Sequence, residues 1–182
     1  MKNTTLVSRP AGQRLSPRFI QCHRGYPVKV MFWGCISIFG PGCLVPVIGN
    51  MDSEQYVSII TSSLVPIAAS WYGNEEWYLQ QDNARCHTSR MTRQHLQTME
   101  IQVIDWPPNS ADLNCIENVW AYFKRKVRGR LNEARDKDTL IQLCLDIWYN
   151  DVSFIDVCRN VVLSMPTRLA DLRRSRGSFK KY

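Results

Sequence analysis

The chain has 182 residues, a length accounted for by one substantial core with a small appendage. Hydrophobic residues make up 45% and aromatic residues 10%, which excludes a disordered chain. The 23 Lys and Arg outnumber the 16 Asp and Glu, giving a formal charge of +7 that fits a polyanionic partner such as nucleic acid, and equally a soluble protein that is merely basic.

The seven cysteines are an odd number with no Cys-x-x-Cys pair and no zinc-finger spacing, so the expectation is scattered core thiols in a reducing compartment. The N-terminus lacks the apolar run of a signal peptide, and no apolar stretch nears the roughly 18 residues of a membrane span. An intracellular protein without a membrane partner is expected.

In chain order, residues 1–27 are polar and carry Pro10, Pro17, Pro27 and four arginines, which reads as a basic loop or short hairpin. Residues 28–37 form an apolar, β-branched and aromatic run, and Gly40-Pro41-Gly42 is the expected turn into a second strand over 43–48. Asp52 with Gln55 reads as a capping box, after which Tyr56, Ile59, Ile60, Leu64 and Ile67 recur at helical spacing, with a kink expected at Pro66. Strands over 77–81 and 101–106 flank a polar helix over 88–99. Alternating strands and helices of this kind indicate an α/β layered domain. Helices follow over 113–128, 138–148 with Asp138 as N-cap, 153–164, and beyond Pro166.

Asp82 closes an aromatic-rich strand and enters a polar turn, where α/β sheets place their ligands. On a helix starting near Leu113, steps of about 100° gather Leu113, Ile116, Val119, Trp120, Phe123 and Val127 into one arc, with Glu117 just past its edge. Two carboxylates distant in sequence can therefore converge on one metal-binding cleft. By spacing alone, Asp82 reads equally as a helix cap and Glu117 as a solvated first-turn residue.

The motifs around them, Gln-Gln-Asp-Asn-x-x-x-His-Thr-Ser from Gln80 and Trp-Pro-x-x-Ser-x-Asp-Leu-Asn-x-Ile-Glu-Asn-x-Trp from Trp106, closely resemble the catalytic domain of Tc/mariner-type transposases, within the Asp-Asp-Glu recombinase superfamily. The resemblance extends over Ser8-Arg9-Pro10-Ala11-Gly12, the run from Val30 to Cys35, Met51-Asp52 with Tyr56, and Ser164-Met165-Pro166 with Arg168-Leu169. It implies an RNase H-like α/β core over 28–130, a basic remnant over 1–27 and a C-terminal helical extension over 131–182. It also implies that Asp82 and Glu117 are the second and third members of an acidic triad holding two Mg²⁺ or Mn²⁺ ions, that the reaction is DNA cleavage and strand transfer, and that the protein is a nuclear homodimer on DNA. The 34 residues between the two acids match one large branch of the family.

In that family the first Asp lies on a strand upstream of the segment matching Ser8 to Gly12, so an incomplete triad and a core lacking its first strand are expected here. A decaying element copy, a partial gene model or a domesticated fragment would each account for such a chain. Strands 28–37 and 77–81 would then expose apolar faces and unpaired backbone, and the polypeptide would be inactive alone. Asp52 reads as a helix cap rather than a replacement ligand. Ala111 and Cys115 stand where the family has prolines, which should loosen the loop before Glu117. His87 is a second-rank candidate to touch phosphate or orient the Asp82 turn, and Asn83 stands beside it. Lys124, Arg125, Lys126, Arg128 and Arg130 are candidate phosphate contacts, with a solvated helix face as the plain alternative. Trp33, Trp120 and Trp148 read as core. The competing function is a domesticated, non-enzymatic DNA-binding or interaction protein.

Overall fold

The computed structural model describes residues 29–107, 110 and 113–174. The basic segment expected over 1–27 lies outside them. Strands β1 (Met31–Ser37) and β2 (Gly40–Val47) form an antiparallel hairpin, and β3 (Tyr78–Leu79) pairs in parallel with β4 (Gln102–Val103). The helices are α1 (Ser53–Ile59), α2 (Val65–Tyr72), α3 (Arg85–Thr88), α4 (Arg90–Thr98), α5 (Ile116–Gly129), α6 (Lys137–Asn150), α7 (Val152–Leu163) and α8 (Met165–Arg174). The expected α/β architecture is present. No helix among the described residues is long and apolar enough to cross a membrane.

The hairpin turns at Ile38 and Phe39, not at Gly40-Pro41-Gly42, which lies within β2. Gly40 has φ +125°, a conformation open to glycine, and Phe39 is held outside the ladder by the rings of Trp71 and Tyr72. Asp52 caps α1 by accepting from the Gln55 N–H at 2.8 Å, but the Gln55 side chain turns to the Asn50 carbonyl, so the box is half made. Between α1 and α2 the chain widens into a π-turn over Ile60–Leu64, directly before Pro66 at the start of α2. Proline has no N–H to donate and its ring crowds the preceding turn, and the wider turn relieves both where a kink was expected. The cap of α6 is Asp136, which exchanges a reciprocal pair of bonds with Thr139; Asp138 sits in the first turn. Asp138 lacks a hydroxyl partner three residues on, and Asp136 has one.

Among the described residues both sheets have two strands. Helices hold them together. One core gathers Val119 and Phe123 of α5, Leu140, Leu143, Ile147 and Trp148 of α6, and Phe154 and Cys158 of α7 against Leu44 of β2. A second joins Tyr56, Ile60, Leu64, Leu96 and Ile101 to Cys35 of β1. Trp148 is fully buried, with ring centroids 4.8 Å from Phe154, 5.3 Å from Trp120 and 5.5 Å from Phe123. Its indole N–H donates to the Gly42 carbonyl at 2.8 Å, and the Leu44 N–H donates to the hydroxyl of neighbouring Tyr149 at 3.0 Å. Two side chains of α6 thus satisfy backbone groups of β2 that an adjacent strand would otherwise take.

Replacing Trp148 with Phe removes that donor and leaves both a buried carbonyl without a partner and a small void. The expected loss is about 2–4 kcal/mol in urea unfolding, against about 1 kcal/mol for Asp136→Ala at the exposed cap. A Trp148→Phe loss no larger than that of Asp136→Ala would remove the indole from its central role.

Candidate active site

Asp82 follows β3 because the strand pairs with β4 over only two residues and the chain then leaves the ladder. The short α3 begins at Arg85 with Ala84 in the cap position, so Asp82 is not its cap. Instead Asp82 Oδ1 accepts from the Ala84 N–H at 3.0 Å, a local turn, and lies 2.7 Å from His87 Nδ1. The His87 ring packs against Tyr56, tilted by 40° with centroids 4.3 Å apart, and the Tyr56 hydroxyl donates to Gln81. One oxygen of Asp82 is therefore held by the protein. Its side chain is 56% exposed while that of His87 is 17% exposed, so the imidazole backs the carboxylate from the inner side.

Glu117 occupies the first turn of α5, where the unpaired N–H groups of the helix start favour a negative charge. Val119 and Phe123 are buried beneath the helix and Glu117 is exposed at the edge of that face. Its carboxylate has no hydrogen bond or ion pair among the described residues. Asp82 and Glu117 line the same cleft of about 450 Å³, whose walls include Phe32–Ile38 on one side and Trp77–Gln81 on the other. They are the acidic side chains lining it among the described residues.

The cleft is the space between the two small sheets. Neither β1 nor β3 has a second strand partner among the described residues. The parallel pair is short: β3 and β4 span two residues each where runs of five and six were expected, and Tyr78 and Met31 are 57% and 46% exposed. Among the described residues the apolar exposure expected from the sequence is confined to Met31 and Tyr78, because Phe32, Trp33, Ile36, Trp77 and Leu79 are half-buried and Cys35 is buried. A contact the sequence motifs did not single out ties the two acid-bearing segments together. Gln80 Nε2 donates to Asn114 Oδ1 at 3.1 Å, linking the strand two residues before Asp82 to the loop three residues before Glu117. The signal was available, because both residues sit inside the quoted motifs, but pairing two amides needs the fold.

Asn83 does not enter this cleft: its amide donates to the Trp106 carbonyl at 2.9 Å and pins the Asp82 turn to the chain leaving β4. Asp52 is spent on its cap. Ala111 lies outside the described residues, while Cys115 keeps φ at −62°, a value proline would impose, with its thiol buried.

The five basic candidates divide by helix geometry. Lys124 and Arg128 are seven and eleven residues past Glu117, which on a helix of 3.6 residues per turn returns them to its stripe, about 10 and 16 Å along the axis. Both are exposed. Lys126 lies on the opposite side, paired with Asp151 at 2.8 Å, and that ammonium holds the Asp151 carboxyl below its usual range. Arg130, past the end of α5, bridges Glu133 at 2.8 Å and Asp146 at 2.7 Å. Arg125 packs over the Tyr122 ring at 5.1 Å. Lys124, Arg125 and Arg128 thus keep their charge available, while Lys126 and Arg130 are engaged by the protein's own carboxylates.

Among the described residues no group of three or more His, Cys, Asp or Glu could hold a metal ion. The donors present are carboxylate oxygens with an amide nearby, a hard set that suits Mg²⁺ or Mn²⁺ and not a soft metal. The open carboxylate of Glu117 fits such an ion.

A family profile described as DDE superfamily endonuclease matches residues 9–141. The Tcb1 transposable-element transposase of Caenorhabditis briggsae is 31% identical over 181 residues, which is 97% of this chain and 63% of that protein's length. Among solved structures, the Mos1 transposase catalytic domain with raltegravir and Mg superposes with a TM-score of 0.70 at 17% identity, covering 84% of this chain and 77% of that one. The Mos1 paired-end complex with the left transposon end superposes at 0.73 and 17% identity, covering 98% and 48%. The fold is therefore the RNase H-like one of these catalytic domains.

If Gln80 and Asn114 carry the tie between the acid-bearing segments, a double-mutant cycle on Gln80→Ala and Asn114→Ala should give a coupling of about 0.5–1.5 kcal/mol in urea unfolding. Additive losses would show that the two segments are held independently.

Proposed function

The chain belongs to the DDE superfamily endonuclease family, and we propose that it is the metal- and DNA-binding part of a Tc/mariner-type transposase catalytic domain, acting on DNA in the nucleus as part of a homodimer. The observation that carries this reading is the placement of Asp82 and Glu117 on one cleft, each at the start of its own turn or helix and each inside a motif of the family. Asp82 and Glu117 would hold the metal. When bound, a Mg²⁺ or Mn²⁺ pair supplies Lewis acidity that activates the attacking oxygen and stabilises the leaving oxygen at a phosphodiester.

The chain's own residues supply the setting. His87, backed by Tyr56, fixes one oxygen of Asp82 and leaves the other without a hydrogen bond among the described residues. Lys124 and Arg128, on the stripe of Glu117, offer two cations along which a phosphate backbone can run past the carboxylate. Contacts of this kind attract DNA without reading its sequence. With two carboxylates on the cleft among the described residues, the polypeptide alone is expected to bind DNA and metal but not to cut or join strands. A non-enzymatic, domesticated DNA-binding protein would have no use for an unpaired Glu117 carboxylate on the same cleft as Asp82, which favours the first reading.

Manganese titration tests the acids. Asp82→Asn and Glu117→Gln should each weaken Mn²⁺ binding by at least about tenfold, since even the loss of an outer-shell partner commonly costs that much. Unchanged affinity in both variants would sink the metal assignment. Binding to an arbitrary DNA duplex tests the cations: the double variant Lys124→Ala, Arg128→Ala should lower the slope of log K against log salt by about 2, and Lys126→Ala should leave it unchanged. A slope that follows Lys126 instead would move the DNA to the other face of α5.

A further inference from the structure

The hairpin carries a second chemistry that the acidic cleft does not use. Its ladder pairs Gly34 with Leu44 and Ile36 with Pro41, so one residue of β1, Cys35, stands opposite two of β2, Gly42 and Cys43. A bulge of this kind turns the extra side chain towards its lone opponent. The Cys35 and Cys43 sulfurs lie 3.4 Å apart. Gly42 makes the room: a Cβ there would stand 2.4 Å from the Cys35 sulfur and 2.6 Å from the Trp71 ring. The two thiols differ in access and in acidity. Cys35 is buried and Cys43 is half-buried. The hydrogen bond from Cys35 holds the Cys43 thiol below its ordinary range against the effect of burial, while that contact and burial push Cys35 up. A reagent from solvent therefore meets Cys43 first, and meets it as the better nucleophile.

We propose that Cys35 and Cys43 are a reversible oxidation site that reacts with a small disulfide of the glutathione class to form an intramolecular disulfide across the β1–β2 bulge. The Cys43 thiolate, its proton given to solvent, attacks one sulfur of the reagent, forming a mixed disulfide and expelling a thiolate. Cys35 then attacks the Cys43 sulfur, its proton passes to the first expelled thiolate, and the second reagent half leaves and takes a proton from solvent. Two protein thiols are oxidised by two electrons, and one disulfide reagent is reduced to two thiols. Such a bond is transient in a reducing compartment. It fastens the strand that lines the cleft at the one place where its ladder is broken.

The experiment exposes the full chain to oxidised and reduced glutathione in varied ratio. Exchange is quenched with acid, the chain is unfolded in denaturant and its free thiols are alkylated near neutral pH with one isotopic form of a maleimide; the protein is then reduced, and the released thiols are labelled with a second form. Chymotryptic cleavage at Phe39 separates the two cysteines for mass spectrometry. The second label should rise together on Cys35 and Cys43, reaching at least about tenfold the level on buried Cys144 and Cys158. Cys35→Ser should stop at a glutathione adduct on Cys43, and Cys43→Ser should leave Cys35 unreacted; Cys35→Ala replaces the first variant if it fails to fold. A stable adduct on Cys43 in the unsubstituted chain, pairing of Cys43 with any other cysteine, or no reaction at either residue would each overturn the proposal.

Discussion

The structure depends on the way α6 serves the edge of the hairpin. Trp148 reaches the carbonyl of Gly42 across 106 residues of sequence, and Tyr149 beside it takes the N–H of Leu44. A two-stranded hairpin is marginal in water by itself, because too little apolar surface is covered and one edge of each strand is left without partners. Here the indole closes the edge of β2 with its polar atom and covers the face with its ring, and Trp120, Phe123 and Phe154 pack around it. The C-terminal helices are therefore not an appendage to the sheet. They are the layer on which it rests.

The cleft follows from that arrangement. β1–β2 rests on α5, α6 and α7 through the first core, and the second core joins α1 and α4 to Leu79 of β3 and also to Cys35 and Trp33 of β1, so the hairpin is shared by both bodies of packing and the cleft opens beside the shared strand. Glu117 rides on α5 and belongs to the first body of packing; Asp82 leaves β3 and belongs to the second. The Gln80–Asn114 bond crosses between them. An amide pair in this position is small in area but specific in direction, and it joins the segments that carry the two carboxylates of the cleft. The exposed edges of β1 and β3 are what the gap costs, visible in the two-residue length of β3 and in the exposure of Tyr78.

Much of this was legible before any coordinates. Runs of β-branched and aromatic residues marked both strands of the hairpin, the helical arc of Ile116, Val119, Trp120 and Phe123 marked α5, and the motifs around Asp82 and Glu117 pointed to one cleft. The misreadings share a cause. The turn was placed at Gly40-Pro41-Gly42 because those residues favour turns, yet Phe39 is drawn out by the rings of Trp71 and Tyr72, and Gly42 is needed for the close approach of Cys35. Its position before an apolar run favours Asp138 as the cap of α6, but Asp136 wins because Thr139 can return the bond. In each case a partner outside the local window decided between two locally acceptable choices.

The sequence by itself determined the identity and periodicity of the elements, the pairing of an acid at a strand end with an acid at a helix start, and the excess of basic residues along α5. Those properties follow from local rules: which side chains fit a pleat or a helix face, and which charge a helix terminus favours. Only the tertiary structure decided which basic residues remain available, since Lys126 and Arg130 meet Asp151, Glu133 and Asp146 from elsewhere in the chain. It alone decided that Asn83 serves Trp106 and not the cleft, and that two cysteines eight residues apart stand sulfur to sulfur. A hydrogen bond or an ion pair needs two groups within about 3 Å in the right direction, and that condition is written in the packing of distant segments, not in the order of neighbouring residues.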